Sequence, residues 1–411
     1  MALIKPFKAL RPKKGLEDKI AALPYDVYNR KEAKEVVANN PLSFLNIDRA
    51  ETQFDDSVDT YDPIVYIKAK EILERMKEEG SFATDNKANY YLYEQVMDGR
   101  AQTGLVCTAS VLDYMNNVIK KHENTRADKE VDRINHVNVT SAQTGPIFLA
   151  FRNDENIAEI FRRTKEKEPA YSFISDDGIK HTSWIIDDEN EIECITKAFA
   201  QKDAMYIADG HHRCASAAKV SMMRREEAKV IDESAEYNFF LSVAFPDSEL
   251  MIMDYNRIVK DLNGLDEETF LDKIKEVFEV SKKPYDEAKP NHKGQIFMLL
   301  KDEEYVLEIK DAYKSEDPIK GLDVSILQDN ILGPVLGIDD PKTNNRIDFV
   351  GGIRGVKELK RRMTIDAKVA FSMYPTSIEE LFNVADAGLL MPPKSTWFEP
   401  KLRSGLFIHE I

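Results

Sequence analysis

The stretch MYIADGHHRCASAA, residues 205–218, has the pattern of a buried strand that runs directly into a helix. Four apolar residues precede an Asp-Gly pair, and small residues follow the cationic end of the turn at once. The N-terminus of a helix offers unpaired backbone N–H groups and the positive end of the helix dipole, and a glycine lets a ligand approach the backbone closely. We therefore predict a phosphate-binding turn made by Gly210, His211, His212 and Arg213.

The same turn has two other interpretations. It could be an ordinary strand-to-helix junction whose histidines bind the backbone, and this alternative stays open from the sequence. A zinc site is disfavoured because adjacent histidines point to different faces of a helix. Cys107, Cys194 and Cys214 are far apart in the sequence and form no C-x-x-C pair, which argues against structural zinc and against a disulfide framework.

A second segment dense in charge, KHENTRADKEVDR at residues 121–133, follows a predicted strand and precedes His136. Most charge runs of this kind are a solvated helix face with paired acids and bases. The alternative is functional, because a carboxylate beside phosphate-binding donors can deprotonate a substrate hydroxyl. His122 and Glu123, at the end of the strand, are the residues that would have this role.

The C-terminal stretch MPPKSTWFEPKLRSG, residues 391–405, is predicted to be a rigid, non-helical loop because of its prolines. It could close the domain by packing Trp397 and Phe398, or its polar groups could surround an anion. In the second case the tail must fold back to residues 209–213, so that two domains share one site. The groups that would then bind phosphate are Lys394, Ser395, Thr396 and Lys401, with Arg403 nearby.

Local patterns predict an α+β fold with mixed sheets and helices. Residues 63–79 have helical spacing with Gly80 as a stop, and residues 90–97 and 103–114 form a predicted hairpin around Asp98-Gly99. A second hairpin, residues 294–300 and 304–309, follows a predicted helix over 265–280. These patterns divide the chain into a first region over residues 1–234 and a second α+β region over residues 235–411.

Composition excludes several classes of protein. The chain has 411 residues, and 57 Lys and Arg against 73 Asp and Glu give a net charge of −16, which would repel a nucleic-acid backbone. Apolar runs are far too short for a membrane span, and the cysteine usage fits a reducing cytoplasm. No Walker A, G-x-S-x-G or H-E-x-x-H motif occurs.

Five segments in order along the chain resemble the domain-of-unknown-function family 1015. They are PYDV at 24–27, NNPLSFL at 39–45, KHENTRADKEVDR at 121–133, YIADGHHR at 206–213 and MPPKSTWFEPKLRSGL at 391–406. The DGHHR turn with its upstream His-Glu pair also resembles the ParB and sulfiredoxin superfamily, and within it the free-serine kinases. The resemblance implies a ParB/sulfiredoxin-like core in the first region and a second α+β unit whose tail completes the active site.

The resemblance further implies a kinase that makes O-phospho-L-serine from L-serine, with pyrophosphate or ATP as the phosphate donor. Glu123 would be the base that faces the serine hydroxyl, with His122 beside it, and Asp209 would lie near the transferred phosphoryl group or its Mg²⁺. The turn from Gly210 to Arg213 would hold the donor phosphates. Lys129 and Arg133, which belong to the pattern of this family, are expected to bind phosphate as well.

Two other functions remain as alternatives. A ParB-like DNA-binding or partition protein is disfavoured by the net charge and by the lack of a basic helix-turn-helix after the DGHHR turn. A non-catalytic sensor of phosphometabolites would need an assay to be separated from an enzyme. The absence of an adenine-binding signature favours pyrophosphate over ATP. We expect small-molecule substrates as partners, and neither a nucleic acid nor a membrane.

Overall fold

The computed structural model of the chain describes residues 1–125, 127–282 and 289–411. These residues form two units, Met1–Leu250 with Pro400–Ile411, and Met251–Glu399. Both units combine helices with sheets, which confirms the predicted α+β class. The division expected from the sequence, between residues 234 and 235, differs from this one by a single strand and by the last segment, which returns to the first unit.

Strands and helices are interspersed along the whole chain. The strands are β1 (Ile4–Lys5), β2 (Leu10–Pro12), β3 (Phe82–Thr84), β4 (Tyr90–Met97), β5 (Arg100–Ser110), β6 (Ile119–Lys120), β7 (Ala142–Gln143), β8 (Ile147–Phe151), β9 (Tyr171–Ile174), β10 (Lys180–Ile186), β11 (Met205–Asp209), β12 (Phe239–Pro246), β13 (Ile252–Met253), β14 (Tyr255–Val259), β15 (Phe278–Lys282), β16 (Gln295–Leu300), β17 (Glu303–Ile309), β18 (Ile347–Gly351), β19 (Val369–Ser372), β20 (Trp397–Phe398) and β21 (His409–Glu410). The α-helices are α1 (Glu17–Ile20), α2 (Arg30–Asn39), α3 (Leu45–Asp48), α4 (Pro63–Glu78), α5 (Val111–Met115), α6 (Ala127–Thr140), α7 (Glu155–Lys165), α8 (Glu189–Ala200), α9 (His211–Glu227), α10 (Glu267–Val277), α11 (Asp323–Leu327), α12 (Gly355–Met363) and α13 (Ile378–Asp386).

A mixed sheet forms the centre of the first unit. Its strand order is β6-β11-β8-β12-β5-β4-β10-β9, and β1 pairs with β5. Two pairs are parallel, β6 with β11 and β8 with β12, and the other pairs are antiparallel. Strands such as β8 and β12 are buried along their whole length, so both faces of the sheet centre are covered.

The first predicted hairpin is present. β4 and β5 pair with Met97 opposite Arg100, and Asp98 and Gly99 both have positive φ, as a two-residue hairpin turn requires. The predicted end of its second strand at residue 114 is wrong. The Ser110 side chain accepts a hydrogen bond from the Asp113 N–H, which caps α5, so residues 111–114 are helical.

The predicted helix over 63–79 is confirmed as α4, but the apolar stripe expected from its spacing, Ile64, Ile67, Leu73 and Met76, is only partly buried. Ile64 and Ile67 are exposed, at 47% and 51%. The buried side chains of α4 include Val65, Ile72 and Leu73, which join a core cluster with residues of α3. Leu73 and Met76 are buried as predicted, whereas the start of the helix buries other side chains, because the packing of α4 against its neighbours sets the buried face.

The second unit contains an antiparallel sheet with the order β15-β17-β16-β19-β14-β18. The predicted second hairpin is confirmed as β16 and β17. The predicted helix over 265–280 ends early, because the chain leaves α10 at Phe278 and enters β15, which pairs with β17. In the described part of the chain, no helix has both the length and the apolar character needed to cross a bilayer.

Candidate active site

Two parallel strands bring the two charged motifs to one edge of the large sheet. β6 and β11 pair in parallel, with Ile119 opposite Met205. The chain leaves both strands at their carboxyl ends, so residues 121–125 and 209–213 follow on the same side. Ligands of α/β sheets commonly bind outside the carboxyl ends of parallel strands. The fold therefore unites two segments that the sequence analysis treated separately.

Gly210 makes the turn between β11 and α9. Its φ of 93° and ψ of 30° lie in the left-handed region, which a glycine adopts without strain. Oδ1 of Asp209 accepts a hydrogen bond from the N–H of Gly210 at 2.9 Å. α9 starts at His211 and has 17 residues. The predicted passage from strand to helix through a single glycine is therefore present, with the N-terminus of a long helix directly after Asp209.

The guanidinium of Arg213 packs against this turn. Its Nη1 donates a hydrogen bond to the carbonyl oxygen of Pro146 at 2.7 Å, and its Nη2 lies 4.0 Å from Oδ2 of Asp209. A Cβ atom on Gly210 would lie 3.0 Å from Nε of Arg213, and one on Gly145 would lie 3.3 Å from its Nη1. Because neither glycine has a Cβ atom, there is room for the guanidinium of Arg213 at this position.

The C-terminal tail brings a second cation to Asp209. Nζ of Lys401 lies 3.1 Å from Oδ2 of Asp209, although the two residues are 192 positions apart in the sequence. Backbone hydrogen bonds hold the tail in this place: the N–H of Ser404 donates to Ala22, and the N–H of Gly405 donates to Thr144. The tail segment with Lys401 therefore lies at the predicted phosphate turn.

These two cations keep Asp209 ionised. Burial would raise the pKa of Asp209, but the charges of Lys401 and Arg213 outweigh that effect and hold the pKa below its usual value. The side chain is still 36% exposed. The arrangement is an accessible carboxylate flanked by cations at a helix N-terminus.

Two of the predicted histidines form a buried pair. The rings of His122 and His211 meet edge to face with their centroids 4.6 Å apart. Burial lowers the pKa of His122 to about 4 and that of His211 well below its usual value. Both rings are therefore neutral at neutral pH, and they add no positive charge to a phosphate site. His212 and Glu123, which follow these two histidines in the chain, are partly exposed.

Lys129 and Arg133 lie one turn apart on α6 and line a cavity of about 290 Å³. Nε of Arg133 donates to Oδ2 of Asp132 at 2.9 Å, and its guanidinium lies 3.9 Å from the centre of the Tyr25 ring. Nζ of Lys129 donates to the Tyr61 hydroxyl at 3.3 Å. These cations thus face a pocket of their own, which the PYDV segment helps to form.

Lys394, Ser395 and Thr396 belong to the second unit. Nζ of Lys394 lies 5.5 Å from the centre of the Tyr255 ring. The carbonyl oxygen of Lys394 accepts a hydrogen bond from Nη2 of Arg257 at 3.1 Å. The Ser395 hydroxyl donates to the carbonyl oxygen of Pro392. Their part in phosphate binding stays a prediction.

Two parts of the site were not predicted from the sequence: the loop before β8 and the end of α3. Pro146 provides the acceptor that fixes Arg213, and Asp48 lines the cavity beside Arg133. The Gly145-Pro146 pair predicts a turn, but nothing in the local sequence predicts that this turn contacts Arg213. Asp48 carried no signal, since it belongs to none of the motifs recognised in the sequence.

Comparisons with known proteins give one family. A family model described as "Protein of unknown function (DUF1015)" matches residues 4–325. None of the curated proteins matches the chain.

Solved structures give weak likenesses. A free serine kinase mutant in complex with ADP has a TM-score of 0.35 and 14% identity, covering 73% of this chain and 88% of that one. A C-terminally truncated SbnI from Staphylococcus aureus has a TM-score of 0.38 and 13% identity, covering 72% and 82%. A conserved hypothetical protein from Pyrococcus furiosus has a TM-score of 0.33 and 15% identity, covering 73% and 93%.

Proposed function

We propose that this chain, which belongs to the DUF1015 family, is a small-molecule kinase that phosphorylates free L-serine to O-phospho-L-serine. The observation that carries the proposal is the ionised Asp209 at the start of α9, flanked by Lys401 and Arg213. Phosphoryl transfer asks mainly for positioning and for neutralisation of charge, so a site of this kind needs no Walker loop.

The turn at Gly210 would bind the phosphates of the donor, pyrophosphate or ATP. The first N–H groups of α9 have no partners within the helix, and the dipole of a 17-residue helix adds positive potential at this end. Lys401 and Arg213 contribute formal positive charge on the same side of the turn. A local concentration of cations attracts small phosphates even when the net charge of the protein is negative.

Glu123 would act on the acceptor. Its carboxylate accepts the proton of the serine hydroxyl while the hydroxyl oxygen attacks the terminal phosphorus of the donor. The bond from that phosphorus to the bridging oxygen breaks, and orthophosphate or ADP leaves with the electron pair. Neutral His122, fixed against His211, would hold the start of this segment in position.

Mg²⁺ fits this site only as an ion shared with the donor. In the part of the chain that the structure describes, no group of three or more His, Cys, Asp and Glu side chains is suited to a metal. Asp209 is the carboxylate that would reach such an ion. Mg²⁺ in kinases is commonly held by one or two carboxylates together with substrate phosphates, where it neutralises developing charge.

The test is to incubate the purified chain with L-serine, Mg²⁺ and either pyrophosphate or ATP, and to follow O-phosphoserine by ³¹P NMR and mass spectrometry. We expect product with at least one donor, and none without serine. Donor binding without product under any of these conditions would contradict the proposal and would favour a sensor of phosphometabolites.

A further inference from the structure

The cavity beside the phosphate turn is built from the segments that the proposed function leaves unused. The PYDV loop, α3, α4 and α6 contribute to its walls, and its volume is about 290 Å³, at the lower end of small-molecule pockets. A second cavity of about 30 Å³ shares Tyr25, Asp48 and Arg133 with it and is also lined by Arg213 and Gly145. The two cavities therefore share part of their walls, and the smaller one reaches Arg213 of the proposed donor site.

Arg133 has hydrogen-bond donors in this cavity that no protein group in the described part of the chain accepts. The residue is only 7% exposed, and its Nε is engaged by Asp132. Among the described residues, neither Nη atom has a hydrogen-bond acceptor. The planar pair of Nη atoms matches the two oxygens of a carboxylate. The ring of Tyr25 lies 3.9 Å from the guanidinium and fixes its plane.

Asp48 provides the opposite charge. It is 5% exposed, and its Oδ1 accepts from the Thr144 hydroxyl at 2.8 Å. His136 lies 3.9 Å away, but burial and the charge of Arg133 lower the pKa of His136, so its ring is neutral. Within the described residues, no lysine or arginine forms an ion pair with Asp48. This carboxylate is thus suited to an ammonium group.

We propose that this cavity binds the acceptor as an α-amino acid zwitterion, with its carboxylate on Nη1 and Nη2 of Arg133 and its ammonium on Asp48. The inference rests on the proposed function for the identity of the acceptor and revises the expectation that Arg133 binds phosphate. Buried Asp48 and Asp132 would repel a phosphate in this cavity, whereas a zwitterion is matched at both ends.

The first test uses the intact wild-type chain without donor. Calorimetry measures the binding of L-serine, of serinamide, which lacks the carboxylate, of 3-hydroxypropionate, which lacks the amine, and of inorganic phosphate. We expect serine to bind roughly 10- to 100-fold more tightly than either analogue, because each analogue loses one charge-assisted contact. Equal binding of all three organic ligands, or phosphate as the preferred ligand, would overturn the inference.

The second test uses Arg133→Lys and Asp48→Asn, with the exposed Arg162→Lys and Asp18→Asn as matched controls. Arg133→Lys should weaken serine binding roughly 10-fold or more and leave serinamide binding unchanged. Asp48→Asn should weaken the binding of serine but not the binding of 3-hydroxypropionate. In turnover, both variants should raise the KM for serine and not the KM for the donor.

The outcomes separate this inference from the proposed function. Phosphoserine formation with an unchanged KM for serine in both variants would overturn the inference and leave the kinase in place. The predicted binding pattern without any phosphoserine would support the amino-acid site and overturn the kinase. If one variant does not fold, the analogue series on the wild type still decides.

Discussion

Asp209 shares its Oδ2 between Lys401 and Arg213, while its Oδ1 accepts the N–H of Gly210. The Asp209 side chain does not belong to the apolar core, because it lies at the end of a strand and is partly exposed. Its substitution should therefore act on chemistry more than on folding.

Asp209→Asn should abolish phosphoserine formation in a protein that still folds, although it loses the stability that the ionised carboxylate contributes. The amide keeps the shape of the side chain but removes the charge that holds the two cations and would meet Mg²⁺. Exposed Asp203→Asn, just before β11, is the matched control. Near-normal turnover by a folded Asp209→Asn protein would contradict this role.

Glu123→Gln should lower kcat by roughly 10²- to 10⁴-fold if Glu123 accepts the proton of the substrate hydroxyl. Donor binding should survive, because the amide leaves the phosphate turn unchanged. Steady-state kinetics give kcat, and a donor titration gives the affinity for the donor. The exposed Glu168→Gln serves as the control. A variant that loses donor affinity but turns over normally at saturation would make Glu123 a positioning residue.

Lys401→Ala should change how stability depends on pH. Because the folded pKa of Asp209 lies below its unfolded value of about 4, its contribution is present above that pH and is lost as the pH falls through the folded pKa. Without Lys401 the folded pKa rises toward the unfolded one. The difference in unfolding midpoint between wild type and Lys401→Ala should therefore be largest near neutrality and shrink in acid. A difference independent of pH, or one also seen in exposed Lys8→Ala, would contradict this account.

At the scale of elements, the site depends on a strand-to-helix junction that contains a single glycine. The junction holds because Gly210 takes a left-handed conformation and because no Cβ atom is present where Arg213 packs. β6 and β8 flank β11, so the segment after β6 and the loop before β8 both lie next to this junction.

Gly210→Ala should cost about 1–2 kcal/mol of stability from its positive φ and should also raise the KM for the donor, because the new Cβ would displace Arg213. Gly178→Ala is a matched control, since Gly178 has φ +79° and open space around it. The control should lose similar stability and keep its kinetics. Equal donor KM values in both variants would show that the position of Arg213 does not matter for the donor.

At the scale of the whole molecule, the end of the chain is divided between the two units. Lys401 lies in the first unit with Asp209, whereas Lys394, Ser395 and Thr396 lie in the second. The prediction that both units share one phosphate site thus depends on Lys394.

Lys394→Ala should raise the KM for the phosphate donor far more than the KM for serine, by roughly one to two powers of ten, if its ammonium contacts phosphate. Exposed Lys320→Ala, in the same unit, is the control. Equal effects on both substrates, or none, would mean that the 391–399 loop only completes the core of the second unit.

Local sequence determined most of the elements and the strand-to-helix turn at Gly210. The Asp98-Gly99 hairpin, α4 and the Gly210 junction are present as predicted, because hairpin turns, helix periodicity and positive φ depend on residues a few positions apart. The ends of elements were less well predicted. Residues 111–114 were expected in a strand but are helical, because Ser110 caps α5. Residues 278–280 were expected in a helix but form part of β15, because this segment pairs with β17.

Which charges meet depends on packing between residues that are far apart in the sequence. The parallel pairing of β6 with β11 set His122 against His211, and the return of the tail set Lys401 on Asp209. The same packing placed Arg133 and Asp48 in the wall of one cavity. Such pairings form when buried charges and donors find partners far along the chain, and no local pattern encodes them. The sequence alone determined which chemical groups the site has, and the fold determined their partners.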